Sequence, residues 1–211
     1  MHSYSKVEWE FVANPDMDKT YAERGDREAN SAPERSLRRS RPEWCRKPLT
    51  LKALETLKDE KNAELVAKEC ARLETLEVIG GRLYTGPMFT KYNNVLRAHS
   101  GVPIFRVWNE EYNCGNTYAT TIHAINSCII KLSRLQKVCK VWRGMSNMAL
   151  PDKFMHPDDL GISGGVEFGF SSTTAQKEQA VHYSRGNAST VFEMEMGMVD
   201  KGADVSWLSQ V

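Results

Sequence analysis

T-Y-A-T-T-I-H-A-I-N-S-C-I-I-K-L-S-R-L at 117–135 runs straight into Q-K-V-C-K-V-W-R at 136–143, and the apolar repeat changes there from 3.6 to 2. Before the change, Tyr118, Ile122, Ile125, Ile129 and Leu132 step by four and three, which predicts a helix over about 117–135 with this stripe in a core. Asn116 is the expected N-cap, and Lys131 and Arg134 fall in the last turn, where cations suit the helix dipole. His123 and Asn126 are then surface or satisfied polar residues. After the change, K-V-C-K-V-W-R (137–143), V-E-F-G-F-S-S (166–172) and T-V-F-E-M-E-M (190–196) are short, β-rich and bounded by turn formers, so each is a predicted strand. T-T-A-Q-K-E-Q-A-V-H-Y-S (173–184) reads as a helix opened by a capping box of Thr173 and Gln176. Upstream, Leu51, Leu54, Leu65, Leu73, Leu76 and Ile79 recur near one helical face, and Gly80-Gly81 is the expected stop. Helices first and strands later, with one helix among the strands, argue an α+β protein over a doubly wound α/β sheet.

The 211 residues suffice for one core plus an appendage. Residues 1–48 form the appendage: polar, without a sustained period, and expected to be a mobile arm. Its S-L-R-R-S-R run (36–41) fits a solvated linker, a dock for an acidic partner or a localisation signal. Residues 49–82 are a helical lead-in, and 83–211 carry the remaining elements. Lys+Arg 28 against Asp+Glu 27 leaves +1, which lacks the basic excess that binding a nucleic-acid backbone needs. No apolar run approaches a membrane span, and M-H-S-Y-S-K-V-E-W-E lacks the apolar stretch of a secretory signal. A cytoplasmic protein without nucleic-acid or membrane partners is expected. The five cysteines (45, 70, 114, 128, 139) are odd in number, without a C-x-x-C pair, so neither disulfides nor a metal site is expected, and Cys70, Cys128 and Cys139 read as buried free thiols.

Three stretches can carry chemistry. V-W-R-G (141–144) ends an apolar strand on an arginine, whose guanidinium can grip phosphate oxygens bidentately while glycine lets a ligand approach the backbone. The same four residues fit a salt-bridged arginine at a strand end. F-S-S-T-T (170–174) places a hydroxyl run where a strand gives way to a helix, able to hold ribose or carboxamide groups, though one or two of those hydroxyls would serve as simple caps. G-I-S-G-G-V-E-F-G-F (161–170) is glycine-rich but lacks G-x-G-x-x-G spacing and leads into a predicted strand, which excludes the Rossmann and P-loop readings.

In order, V-W-R-G, F-S-S-T-T, T-V-F-E-M-E-M-G and K-G-A-D-V-S-W-L-S-Q (201–210) resemble the arginine-specific mono-ADP-ribosyltransferase family. L-Y-T-G-P-M-F-T-K-Y-N-N-V-L-R (83–97) and G-N-T-Y-A-T-T-I-H-A-I-N-S-C-I-I-K-L-S-R (115–134) resemble its helical front half. The resemblance implies a helical front packed on a split pair of β-sheets with NAD in the cleft between them. It implies transfer of ADP-ribose from NAD to a guanidinium, on an acceptor protein or a small-molecule arginine, with release of nicotinamide and without a metal. Carried over, Arg143 would hold the NAD phosphates, the Gly144 backbone would bond the nicotinamide amide, and Ser172 would position the nicotinamide ribose and the catalytic carboxylate. Thr173 matches the middle of the family's Ser-Thr-Ser motif, and Thr174 stands where serine is usual.

The family draws its carboxylates from a Glu-x-Glu shortly after S-W-L-S-Q, where the present sequence reaches Val211. The catalytic glutamate is therefore expected beyond Val211, and the chain reads as a transferase domain incomplete at its C-terminus. Glu193-Met194-Glu195 is a literal Glu-x-Glu, but it precedes that run, and period 2 puts both glutamates on the face of Val191. A solvent-facing strand edge is the expected role for them. The alternative to an enzyme is an inactive relative that keeps an NAD- or protein-binding cleft.

Overall fold

A computed structural model describes residues 49–86, 88–184, 186, 188–197 and 202–209. The arm expected over 1–48, with Cys45 and S-L-R-R-S-R, lies outside the described residues. The described residues divide into two compact units, one drawn from 49–135 with 203–209 and the other from 136–197 with 202.

In the first unit, α1 (Leu51–Ala67) opens on Thr50, whose Oγ1 accepts from Ala53 N at 3.2 Å. It closes where Cys70 N donates to Leu65 O and Glu69 turns left-handed at φ 55°. The continuous helix expected to about Ile79 is thus broken over 68–74. Asn62 holds the break in place, donating to Leu73 O at 3.1 Å and accepting from Leu73 N at 2.6 Å. Leu54, Leu65, Leu73 and Ile79 are buried as expected, while Leu51 is exposed.

Helix α2 (Thr75–Tyr84) does not stop at Gly80-Gly81 but runs through it. The physical reason is close packing. A Cβ on Gly80 would lie 3.3 Å from Ala124 Cβ and from Ile125 N, and one on Gly81 would lie 2.7 Å from Leu208 Cδ1. These two glycines let α2 lie against α5 (Ala119–Leu132) and leave room for Leu208 of the 206–208 turn. Arg82 fixes that turn by donating from Nη1 to Leu208 O at 2.6 Å, and burial lowers its pKa to about 10. Between them, α3 (Phe89–Ala98) and α4 (Pro103–Asn113) pack on each other, and Pro103 fits the first turn of α4, where no intrahelical donor is needed.

Helix α5 begins later than expected. Asn116 accepts from Tyr118 N at 3.1 Å, Tyr118 occupies the cap position at φ 44°, and helical residues start at Ala119. Its buried face is Thr121, Ala124, Ile125, Cys128 and Leu132, with Ile122 and Ile129 half-buried beside it, because the small residues meet Gly80 and Gly81. His123 and Asn126 are exposed. Cys128 is the one expected thiol that is fully buried; Cys70 and Cys139 are half-buried.

The second unit holds β1 (Cys139–Ser146), α6 (Asp152–Met155), α7 (Lys177–Tyr183) and β2 (Ser189–Met196). β1 and β2 pair antiparallel from Cys139 opposite Met196 to Ser146 opposite Ser189. The architecture is α+β. The predicted strand at 166–172 does not form: the stretch is irregular, with Gly164 at φ 115°, and Val166 and Phe168 face solvent. Its continuation touches the sheet only through a bridge between Thr174 and Trp142.

Candidate functional site

β1 carries the site because it is flanked on both edges. β2 pairs along one edge, and on the other Thr174 N donates to Trp142 O and Trp142 N to Thr174 O, both at 2.8 Å. This bridge explains why the capping box of Thr173 and Gln176 is not used. Thr174 is held extended, so α7 cannot begin until Lys177, and Thr174 Oγ1 accepts from Gln176 N at 3.1 Å instead. F-S-S-T-T is therefore an edge segment beside β1 more than a helix cap.

The bridge delivers Ser172 to Arg143. The half-buried guanidinium donates from Nη1 to Ser172 O at 2.9 Å. Among the described residues Arg143 forms no ion pair, so the salt-bridged reading of V-W-R-G lacks its partner acid. Ser172 and Thr173 are exposed. Arg143 stands opposite Phe192 in the register, and the Phe192 ring lies 5.8 Å from that of Phe154 on α6. Two half-buried aromatic rings thus adjoin the sheet face that carries the guanidinium. Sequence reasoning missed both. The signal for Phe192 was present, since period 2 separates it from Glu193 and Glu195; Phe154, in the short D-K-F-M turn, had none.

Gly144 has a packing reason of its own. A Cβ there would lie 1.8 Å from Ala180 O, so α7 rests its backbone on β1, and Ser146 Oγ donates to Tyr183 O to tie the strand to the helix end. A side chain at this position would report on that packing before any ligand contact.

Glu193 and Glu195 lie on the other face, opposite Trp142 and Lys140, and both are exposed together with Val191. Glu193 accepts from Lys140 Nζ at 2.8 Å and from Trp142 Nε1 at 3.1 Å. The hydrogen bonds from Lys140 and then Trp142 hold its pKa below the usual carboxylate range, and the same contact raises that of Lys140. Alternation therefore separates these carboxylates from the guanidinium: Glu193 faces away from the side on which Arg143 and Phe192 stand.

Among the described residues no group of His, Cys, Asp and Glu is placed to hold a metal ion, and no helix is long and apolar enough to cross a membrane. No protein family, no curated protein and no solved structure matches this chain.

Proposed function

We propose that the chain binds NAD through β1 and belongs to an NAD-dependent protein-arginine ADP-ribosyltransferase. One observation carries this reading: the Arg143 guanidinium, far from Ser172 in sequence, donates to the Ser172 backbone carbonyl at 2.9 Å, which brings the two singled-out positions together. A guanidinium without an acidic partner among the described residues can take phosphate oxygens in its fork. The exposed Ser172 and Thr173 carry hydroxyls that suit a ribose, and the rings of Phe154 and Phe192, tilted by 58° to each other, offer apolar surface for a pyridine ring. In this reading 170–174 is the edge at which a second sheet of a split pair stands, with the dinucleotide between the sheets. Attack by the acceptor guanidine nitrogen on the ribose C1′ breaks the bond to nicotinamide. The positive charge that develops on the sugar needs a facing carboxylate.

The position of Glu193 favours a second reading for residues 1–211 taken alone, an NAD-binding module that does not transfer. Calorimetry separates binding from chemistry. NAD should bind the 211-residue chain, and Arg143→Ala should weaken it ten- to a hundredfold, as loss of about 1.5–3 kcal/mol from a charge-assisted hydrogen bond predicts. Equal NAD affinity in wild type and Arg143→Ala would sink both readings. Nicotinamide release with an arginine analogue, present or absent, then decides between them.

A further inference from the structure

We infer that the outward face of α4 is an interface for a second copy of this chain, the two helices packed antiparallel about a two-fold axis beside Trp108. Ile104, Val107 and Trp108 fall at i, i+3 and i+4 on this helix, and they are 47%, 45% and 38% exposed. The inner face is already used. Asn113 is buried and donates to Lys91 O at 2.9 Å, and Lys91 Nζ donates to Tyr112 O at 2.6 Å, which seats α4 on α3. Half-buried Phe105 meets Trp108 edge to face with 5.6 Å between ring centroids, so the indole is steadied within its own helix.

The charges beside this stripe select the occupant. Arg106 and Glu110 are exposed and stand symmetrically before and after Trp108, and exposed Glu111 follows. Arg106 and Glu110 are i,i+4 neighbours with the cation N-terminal, the weaker order for a pair on one helix, and among the described residues Arg106, Glu110 and Glu111 form no ion pair. A two-fold contact is self-complementary, so an axis beside Trp108 sets Arg106 of each copy against Glu110 of the other, on the same flank of the contact. Glu111 of each copy then approaches the first turn of the other copy's α4, opened by Pro103, where free N–H groups and the positive end of the helix dipole suit a carboxylate. A parallel pairing would instead oppose like charges. A lipid surface would favour flanking cations, and this face carries two carboxylates for one guanidinium. The apolar side chains supply the attraction, and the charges fix its direction. A helix of 11 residues offers a contact about 16 Å long, so the dimer belongs among small, concentration-dependent interfaces. Neither Arg143 nor the NAD reading enters into it.

Sedimentation velocity of the full chain over rising concentration tests the contact. Wild type should dimerise. Arg106→Glu alone and Glu110→Arg alone should each weaken the dimer at least about tenfold, because each opposes like charges at both ends of the contact. The two variants mixed in equal amounts should associate again as a heterodimer, and the chain carrying both reversals should dimerise like wild type, since every facing pair is again of opposite sign. Val107→Asp should abolish the dimer. These side chains are exposed, so urea melts should show every variant folded, and Arg143→Ala should leave the dimer unchanged. A wild-type chain that stays monomeric at about 1 mM, beyond the weak end of specific association, overturns the inference. So do single reversals that associate like wild type, or a second reversal that fails to restore what the first one lost.

Discussion

Glu77 illustrates how a buried carboxylate is kept ionised between two helices. It sits in the first turn of α2 with its side chain about 10% exposed, and it accepts from Glu74 N at 2.7 Å and Lys131 Nζ at 2.8 Å and from Ser127 Oγ at 2.5 Å. Burial pushes its pKa up, but the hydrogen bonds from Lys131, Ser127 and the Glu74 backbone outweigh that and hold it below the ordinary value. A folded pKa below the unfolded one makes stability present above the unfolded value and lost as pH falls through the folded one. Glu77→Gln should therefore cost about 1–3 kcal/mol at pH 7, where the charge-assisted bonds are lost, and the cost should shrink as the pH falls through the folded pKa of the wild-type carboxyl. Urea melts of both proteins over a descending pH series test this; a cost that does not change with pH would show that the charge plays no part. The neighbouring Cys128 follows the same physics with the opposite sign, burial first and then the charge of Glu77 raising its pKa to about 12, so this thiol is inert.

Helix α2 is held by what its glycines lack. Substituting alanine for glycine inside a helix gains up to about 1 kcal/mol of propensity, so Gly81→Ala would stabilise an isolated α2. Within the fold the new methyl meets Leu208 Cδ1 at 2.7 Å, and Leu208 is itself fully buried, so overpacking of about 1–3 kcal/mol should win. Leu208→Ala alone should cost about 2–5 kcal/mol, and the double variant should be less destabilised than the two single costs added together, because each substitution removes the other's strain or cavity. Additive costs in chemical denaturation would place the two groups apart. This contact also marks the limit of what the sequence reveals. The switch of period after Leu135 is visible in the chain and coincides with the boundary between the two units, because each period records what its own core buries. Gly80-Gly81 reads locally as a helix stop, and only the arrival of Ala124 and Leu208 turns it into a contact. Thr173 and Gln176 likewise match a cap, but the bridge from Trp142 to Thr174 claims the backbone first. Arg143 and Ser172 were legible by residue type, whereas the bond between them depends on that same long-range bridge. Phe154 was hidden because its partner Phe192 belongs to a distant strand.

Each of the two units presents apolar residues to solvent, Val107, Trp108 and Ile130 in the first and Val138, Leu160 and Val166 in the second. A formal net charge of +1 provides almost no long-range repulsion to keep such surfaces apart near neutral pH. Short-range apolar attraction should then dominate, and raising the salt concentration will not reverse it, because screening a charge this small removes little. Lowering the pH changes the balance. The sequence isoelectric point of about 7.6 means that moving from pH 7.4 to 5.5 adds positive charge to a chain that starts close to neutrality. The chain should therefore self-associate at pH 7.4 and shift toward monomer at pH 5.5, with sedimentation velocity at equal protein concentration as the measurement. If association instead grows as the pH is lowered, the attraction is ionic in origin, and the exposed side chains of the loop and of α4 are not its source.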